Sequence, residues 1–153
     1  MKIVTSYFYK IRFFTPNIIP LSTAVWDPKW FHRGQGKDFM FYDKRGVLNG
    51  LRCEVFMPDS SCNDLCCGHE SCSNEPLSCE FLKAYRRQLD RLNFNKVIEM
   101  LNAISECVQK EIGFNEEPVI ALIVHEASSN PCSERVALHQ WFKDNHYDIQ
   151  EFT

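Results

Sequence analysis

The sequence predicts a small α/β domain of three layers with a mostly parallel central sheet, and three observations carry that expectation. Residues 118–125 (PVIALIVH) are continuously apolar and β-branched, the pattern of a strand covered on both faces, hence central and parallel. Two stretches before it repeat apolar residues every three or four positions, as helices do. Strands first, then a pair of helices, then strand, turn and helix is the order of a sheet with helices laid on it. At 153 residues the chain is one domain, 1–153, long enough to bury roughly 70% of its unfolded surface.

The elements follow in order. Residues 2–7 (KIVTSY) are β-branched and aromatic and make a first strand. Residues 18–26 read as a second, with Pro20 tolerable only at its start or on a sheet edge. From 27 to 50, glycines, basic residues and aromatics alternate, which predicts a long loop with short strands, either a solvated segment or a lid over a site. Residues 59–79 have almost no large apolar side chain and form a cysteine-rich insertion. Ser78 then caps a helix carrying Phe81, Leu82, Tyr85, Leu89 and Leu92. A second helix bears Val97, Leu101, Ile104, Val108 and Ile112 and stops at Gly113. After the buried strand, Asn130 and Pro131 predict a cap and first turn for a last helix reaching about Asn145, and residues 147–152 a final strand.

Composition narrows the function classes. Hydrophobic residues are 44% and charged residues 24% of the chain, a globular balance. The net charge of -3 speaks against a nucleic acid held by bulk positive charge. The longest apolar run, 119–124, is far short of the ~18 residues a membrane helix needs. Lys10 and Arg12 interrupt what would be the apolar core of a signal peptide, so a cytoplasmic chain with reduced thiols is expected.

Five of the eight cysteines fall in the insertion: Cys62, Cys66, Cys67, Cys72 and Cys79, with His69 among them. A loop without a core gains order from a tetrahedral thiolate site. The expected cofactor is one structural zinc ion on Cys62, Cys66, Cys72 and Cys79, with Cys67 or His69 as substitutes; an iron-sulfur cluster or no metal are the alternatives. Cys53 and Cys107 read as ordinary small hydrophobes.

Several residues together resemble a known family. Ser6-Tyr7-Phe8, Pro16, Pro20-Leu21-Ser22 and Pro28-Lys29-Trp30, then the buried strand ending in Glu126 and a helix bearing Cys132, Arg135 and Trp141, are similar to the domain-of-unknown-function family 488 of bacterial and phage proteins. The resemblance covers both ends of the chain and implies a three-layer α/β fold. Where the family has Cys-His-Arg, this chain reads Cys132-Ser133-Glu134-Arg135 and lacks the histidine.

Parallel sheets bind ligands at the carboxyl ends of their strands. Those ends offer Ser6, and beyond the buried strand Glu126, Cys132, Ser133 and Arg135, with Trp30 following the second strand. First-turn amides of the last helix with Arg135 would suit a small anionic molecule, nucleotide-like or otherwise phosphate-bearing, and the helix dipole would favour a Cys132 thiolate. Ser6, Trp30, Ser133 and Arg135 are therefore the expected ligand-binding residues, and Glu126 and Cys132 the expected catalytic ones. The bland readings are a structural ion pair of Glu126 with Arg135, an inert Cys132, and structural roles for His125 and His139. The alternative function is a zinc-stabilised protein-interaction module. A phosphatase-type Cys132 ranks last, because Arg135 follows it by three residues and a phosphate loop needs Cys-x5-Arg.

Overall fold

The computed structural model describes residues 1–33, 39–63, 65, 79–130 and 133–153. In chain order the elements are β1 (Lys2–Tyr7), β2 (Ile18–Ser22), a small hairpin of β3 (Phe41–Tyr42) and β4 (Leu48–Asn49), a short α1 (Ser60–Asn63), α2 (Glu80–Asp90), α3 (Phe94–Ile112), β5 (Val119–Val124), α4 (Glu134–Asp144) and β6 (Gln150–Glu151). Three 3-10 helices, Phe8–Phe13, Lys29–His32 and Glu54–Phe56, stand between them. The main sheet runs β2-β5-β1-β6 and every pairing in it is parallel. Among the described residues no helix is long and apolar enough to cross a membrane.

The apolar run at 119–124 is explained by its place. β5 pairs with β1 along its whole length, Lys2 opposite Val119 to Tyr7 opposite Val124, and with β2 on its other side. Residues 120–123 are completely buried. β2 is an edge of this sheet, so Pro20 in its middle removes an N–H that an edge strand can leave unpaired. The strand expected to reach Trp26 ends at Ser22, where the Ser22 hydroxyl donates to Asp27 and turns the chain back.

Side chains alternate across the sheet. Ile3, Ile19, Leu21, Ile120 and Leu122 face α2, α3 and α4, whose Tyr85, Leu89, Leu101, Leu138, Trp141 and Phe142 complete one core. Val4, Ala121 and Ile123 face the other way, onto Phe8, Ile11, Phe14, Phe31 and Val47. Among the described residues the three long helices thus gather on one face, and 3-10 turns and the hairpin cover the second.

Helix ends follow side-chain chemistry. The Asn93 side chain accepts from the Lys96 amide, and Gly113, at φ +85°, closes α3 in the left-handed conformation that glycine takes without strain. Cys79 stands just before α2, while Ser78 lies outside the described residues. The last helix begins later than expected. The Asn130 amide closes a turn onto the Ala127 carbonyl, and Ser133 is the cap, its hydroxyl accepting from the Arg135 amide.

Candidate functional site

The connection from β1 crosses β5 to reach β2, whereas the connection from β5 crosses β1 to reach β6. The two chains diverge at the carboxyl ends of β1 and β5, the crevice where parallel sheets take ligands. Three hydrogen-bonded polar clusters surround those ends.

The first belongs to β2. Asp27, with its side chain 1% exposed, accepts from the Ser22 hydroxyl, from His32 Nε2 at 2.6 Å and from Arg52 at 3.4 Å. His32 Nδ1 faces the Phe39 carbonyl at 3.1 Å. Both ring nitrogens of His32 are thus engaged, one by the Asp27 carboxylate and the other at the Phe39 carbonyl. Gly50 allows this: its φ is +99°, and a Cβ there would lie 2.5 Å from the Phe39 carbonyl oxygen that His32 needs.

The second joins β1, α4 and β6. The Thr5 hydroxyl donates to Glu151 at 2.5 Å, so its oxygen accepts from His139 Nε2 at 2.6 Å. Burial, then the nearby Arg135, lowers the His139 pKa; burial raises that of Glu151. Carboxylate and imidazole both address the hydroxyl of a fully buried residue, so the trio ties elements together and presents no nucleophile.

The third lies at the start of α4. The Ser133 hydroxyl donates to Glu126 at 3.2 Å, and Glu134 stands beside Glu126 with its pKa pushed up to about 8 by burial and by the neighbouring carboxylate. Such a pair holds a proton at neutral pH. Arg135 is 8% exposed, and its Nη2 donates to the Ser128 and Asn130 carbonyls at 2.7 and 2.6 Å, which clamps the turn before the helix. The structure thus places Glu126, Ser133 and Arg135 side by side. Ser133 and Arg135 are engaged by the fold itself, and two carboxylates make this helix start a poor place for an anion. Cys132 lies outside the described residues.

The two remaining expected ligand residues are on the second face. Ser6 is fully buried and its hydroxyl has no partner among the described residues. Trp30, 49% exposed, lines a cleft of about 360 Å³ with Phe8, Tyr9, Ile11, Arg12, Phe41, Asp43, Arg45 and Asn49. This cleft lies between the 3-10 helix that leaves β1, the 3-10 helix that follows β2, and the β3–β4 hairpin. Arg45 is engaged by Asp43 at 2.6 Å and by the Phe14 carbonyl. Arg12 lies over the Tyr9 ring at 3.8 Å and makes no ion pair among the described residues. Tyr9, Arg12 and Asn49 were absent from the expected site, because isolated residues carry no spacing signal.

Of the expected zinc ligands, Cys66 and Cys72, and the substitutes Cys67 and His69, lie outside the described residues. Cys62 and Cys79 are free thiols, as are Cys53 and Cys107. Cys62 is wholly buried, its thiol facing Asp59 and Gln88, and burial and the Asp59 charge raise its pKa. Cys53 is buried, with its pKa pushed up to about 12, and Cys107, expected with it to be an ordinary small hydrophobe, is exposed on α3. Among the described residues no group of three or more His, Cys, Asp or Glu is arranged to hold a metal. His125 and His139 are both hydrogen-bonded within the fold, His125 to the Trp26 carbonyl at 2.6 Å.

No protein-family model matches the chain, and no curated protein or solved structure matches it either.

Proposed function

We propose that the domain binds a nucleotide-like or other phosphate-bearing small molecule, in the cleft between the segments that leave the carboxyl ends of β1 and β2. The observation that carries this reading is the pairing of an open aromatic surface, Trp30, with Arg12, a cation without a carboxylate partner among the described residues, in one cleft of about 360 Å³. Flat rings stack on such a surface and phosphate oxygens accept from guanidinium. The start of α4, first expected to hold the anion, carries Glu126 and Glu134 and is the less favourable lip. Titration calorimetry with AMP, adenosine and ribose 5-phosphate tests it. AMP should bind more tightly than adenosine, Arg12→Gln should remove about a tenfold part of that difference, and salt should weaken binding. Absence of binding by all three would overturn the reading.

A structural zinc ion in residues 59–79 belongs to the same proposal. Its ligands would be Cys62, Cys66, Cys72 and Cys79, with Cys67 or His69 as substitutes, and Cys79 has its place at the start of α2. Free thiols of this kind suit a reducing compartment, the cytoplasm. Metal analysis of protein made in zinc-replete medium should find close to one equivalent; less than about a tenth would end the zinc reading.

A further inference from the structure

The net charge of -3 is divided unevenly. Residues 8–49, which contain the cover of the second face, hold seven Lys and Arg to three Asp, whereas residues 50–153 hold nine Lys and Arg to seventeen Asp and Glu. Two of those three aspartates are in no position to oppose an anion: the Asp27 side chain is 1% exposed, and Asp43 is paired with Arg45 at 2.6 Å. Asp38 lies outside the described residues. Arg12, Lys29, Arg33 and Lys44 are exposed and make no ion pair among the described residues.

The same cover carries aromatic rings in an unbroken series. Trp26, 66% exposed, touches His125 at 4.2 Å, His125 touches Phe8 at 5.1 Å, and Phe8 touches Trp30 at 6.1 Å. Trp30 shares the cleft with Tyr9, and Tyr9 touches Phe13, 56% exposed, at 6.1 Å. Cations stand over two of these rings, Arg12 over Tyr9 at 3.8 Å and Lys10 over Phe13 at 5.5 Å. Trp26 and Phe13 are outside the lining of the cleft, so the series is longer than a site for one nucleotide.

Resting on the nucleotide-like reading above, we infer that the second cover binds a single-stranded nucleic acid, with one nucleotide in the cleft, its neighbours stacked on the rings outside, and the phosphates accepting from the exposed cations. Stacking on aromatic side chains along a positive track is how single strands are held without regard to sequence, and a local basic face serves even where the whole chain is acidic. A duplex keeps its bases stacked on one another and offers no free ring faces. An anionic membrane would suit the charge, but the large exposed side chains here are Tyr9, Phe13, Trp26, Trp30 and Phe39 against Val25 and Met40, with no Leu or Ile among the described residues. Burial in acyl chains uses aliphatic side chains as well, whereas stacking needs flat rings.

The test follows, by fluorescence anisotropy on the full chain, a labelled adenylate strand of about ten nucleotides, the same strand paired with its complement, and competition by AMP. Phosphatidylserine vesicles are tested beside them by co-sedimentation. The single strand should bind at least about tenfold more tightly than AMP and than the duplex. Added salt should weaken the strand more steeply than AMP, because more phosphates are contacted. Trp26→Ala, at an exposed position, should weaken the strand roughly tenfold and AMP by less, and Phe13→Ala should do likewise. A strand that binds no more tightly than AMP would overturn this inference and leave the nucleotide reading standing. A duplex bound as tightly as the single strand, or a strand affinity unmoved by both substitutions, would do the same. Vesicle binding without strand binding would make the cover a membrane surface and overturn the inference. If neither AMP nor the strand bound, the nucleotide reading itself would fall, and this inference with it.

Discussion

The two faces of the sheet are closed by different means. On one, α2, α3 and α4 bring a continuous set of buried side chains, Leu82, Tyr85, Leu89, Leu101, Leu138 and Trp141 among them, onto Ile3, Ile120 and Leu122. On the other, the cover is made of 3-10 turns and a hairpin of two-residue strands. Large exposed hydrophobics divide just as unevenly: Tyr9, Phe13, Val25, Trp26, Trp30, Phe39 and Met40 lie in the second cover, Tyr42 reaches Glu111 of α3, and Leu65 is elsewhere. A helix satisfies its own backbone, so its inner stripe has only to pack. An irregular cover must find partners for its backbone and its bends, and here side chains provide them: His32 for Phe39, Arg52 for Ala24 and Val25, Arg45 for Phe14. Cover of that kind leaves clefts, and the ligand cleft lies there.

The comparison is tested most severely at Asp27. If its carboxylate organises the second cover, Asp27→Ala leaves the Arg52 charge without its counter-ion under the surface and His32 with the Phe39 carbonyl alone, at a cost of about 3 to 5 kcal/mol in urea unfolding. On the helical face Leu101→Ala should cost about 2 to 5 kcal/mol by the plain loss of packing. Hydrogen exchange should tell the two apart: the first variant opens amides in 28–33 and 39–49, the second those of α3 and β5. A cost below about 1 kcal/mol for Asp27→Ala would mean that packing alone closes both faces.

The same contrast explains what was legible in the sequence. The helical face was, since a stripe such as Val97, Leu101 and Val108 shows its period, Gly113 marks its end, and residues 119–124 announce a strand covered on both sides. The second face was not. Asp27 and His32 are five residues apart in a stretch that reads as loop, and their pairing depends on Gly50 bringing in the Phe39 carbonyl. Thr5 meets His139 and Glu151 across most of the chain, through sheet order, which no local pattern reveals. The start of α4 misled for a local reason: Asn-Pro is a strong start signal, but the Asn130 carbonyl is held by the Arg135 side chain and Ser133 took the cap.

A smaller effect should come from the lip between the faces. Glu134 ordinarily titrates near 4.5, and burial followed by the Glu126 charge raises it to about 8. Between those values the folded chain holds a proton that the unfolded chain has lost, so this group makes stability fall as pH rises and levels off above 8. Glu134→Gln removes the slope. Its stability relative to the parent should be unchanged near pH 4 and higher by about 1 to 3 kcal/mol above pH 8, with Glu151 and His139 titrating alike in both proteins. Parallel unfolding curves across that range would show that Glu126 and Glu134 do not share a proton.

The smallest effect is expected from a tryptophan. Trp141, 2% exposed, is boxed in by Phe56, Phe94 and Phe142 on the helical face. Trp26, 66% exposed, touches the His125 ring at 4.2 Å, and the hydrogen bond from His125 goes to the Trp26 backbone carbonyl, which survives removal of the side chain. Trp26→Ala should therefore cost at most about 1 kcal/mol in urea unfolding, against about 3 to 5 for Trp141→Ala. Because the same residue type is removed from each face, chain propensity and the size of the lost ring largely cancel, and what differs is how completely each face is closed. Equal costs at the two positions would show that the aromatic cover of the second face is a second core, and its cleft would then be a seam in the packing instead of a surface that meets a ligand.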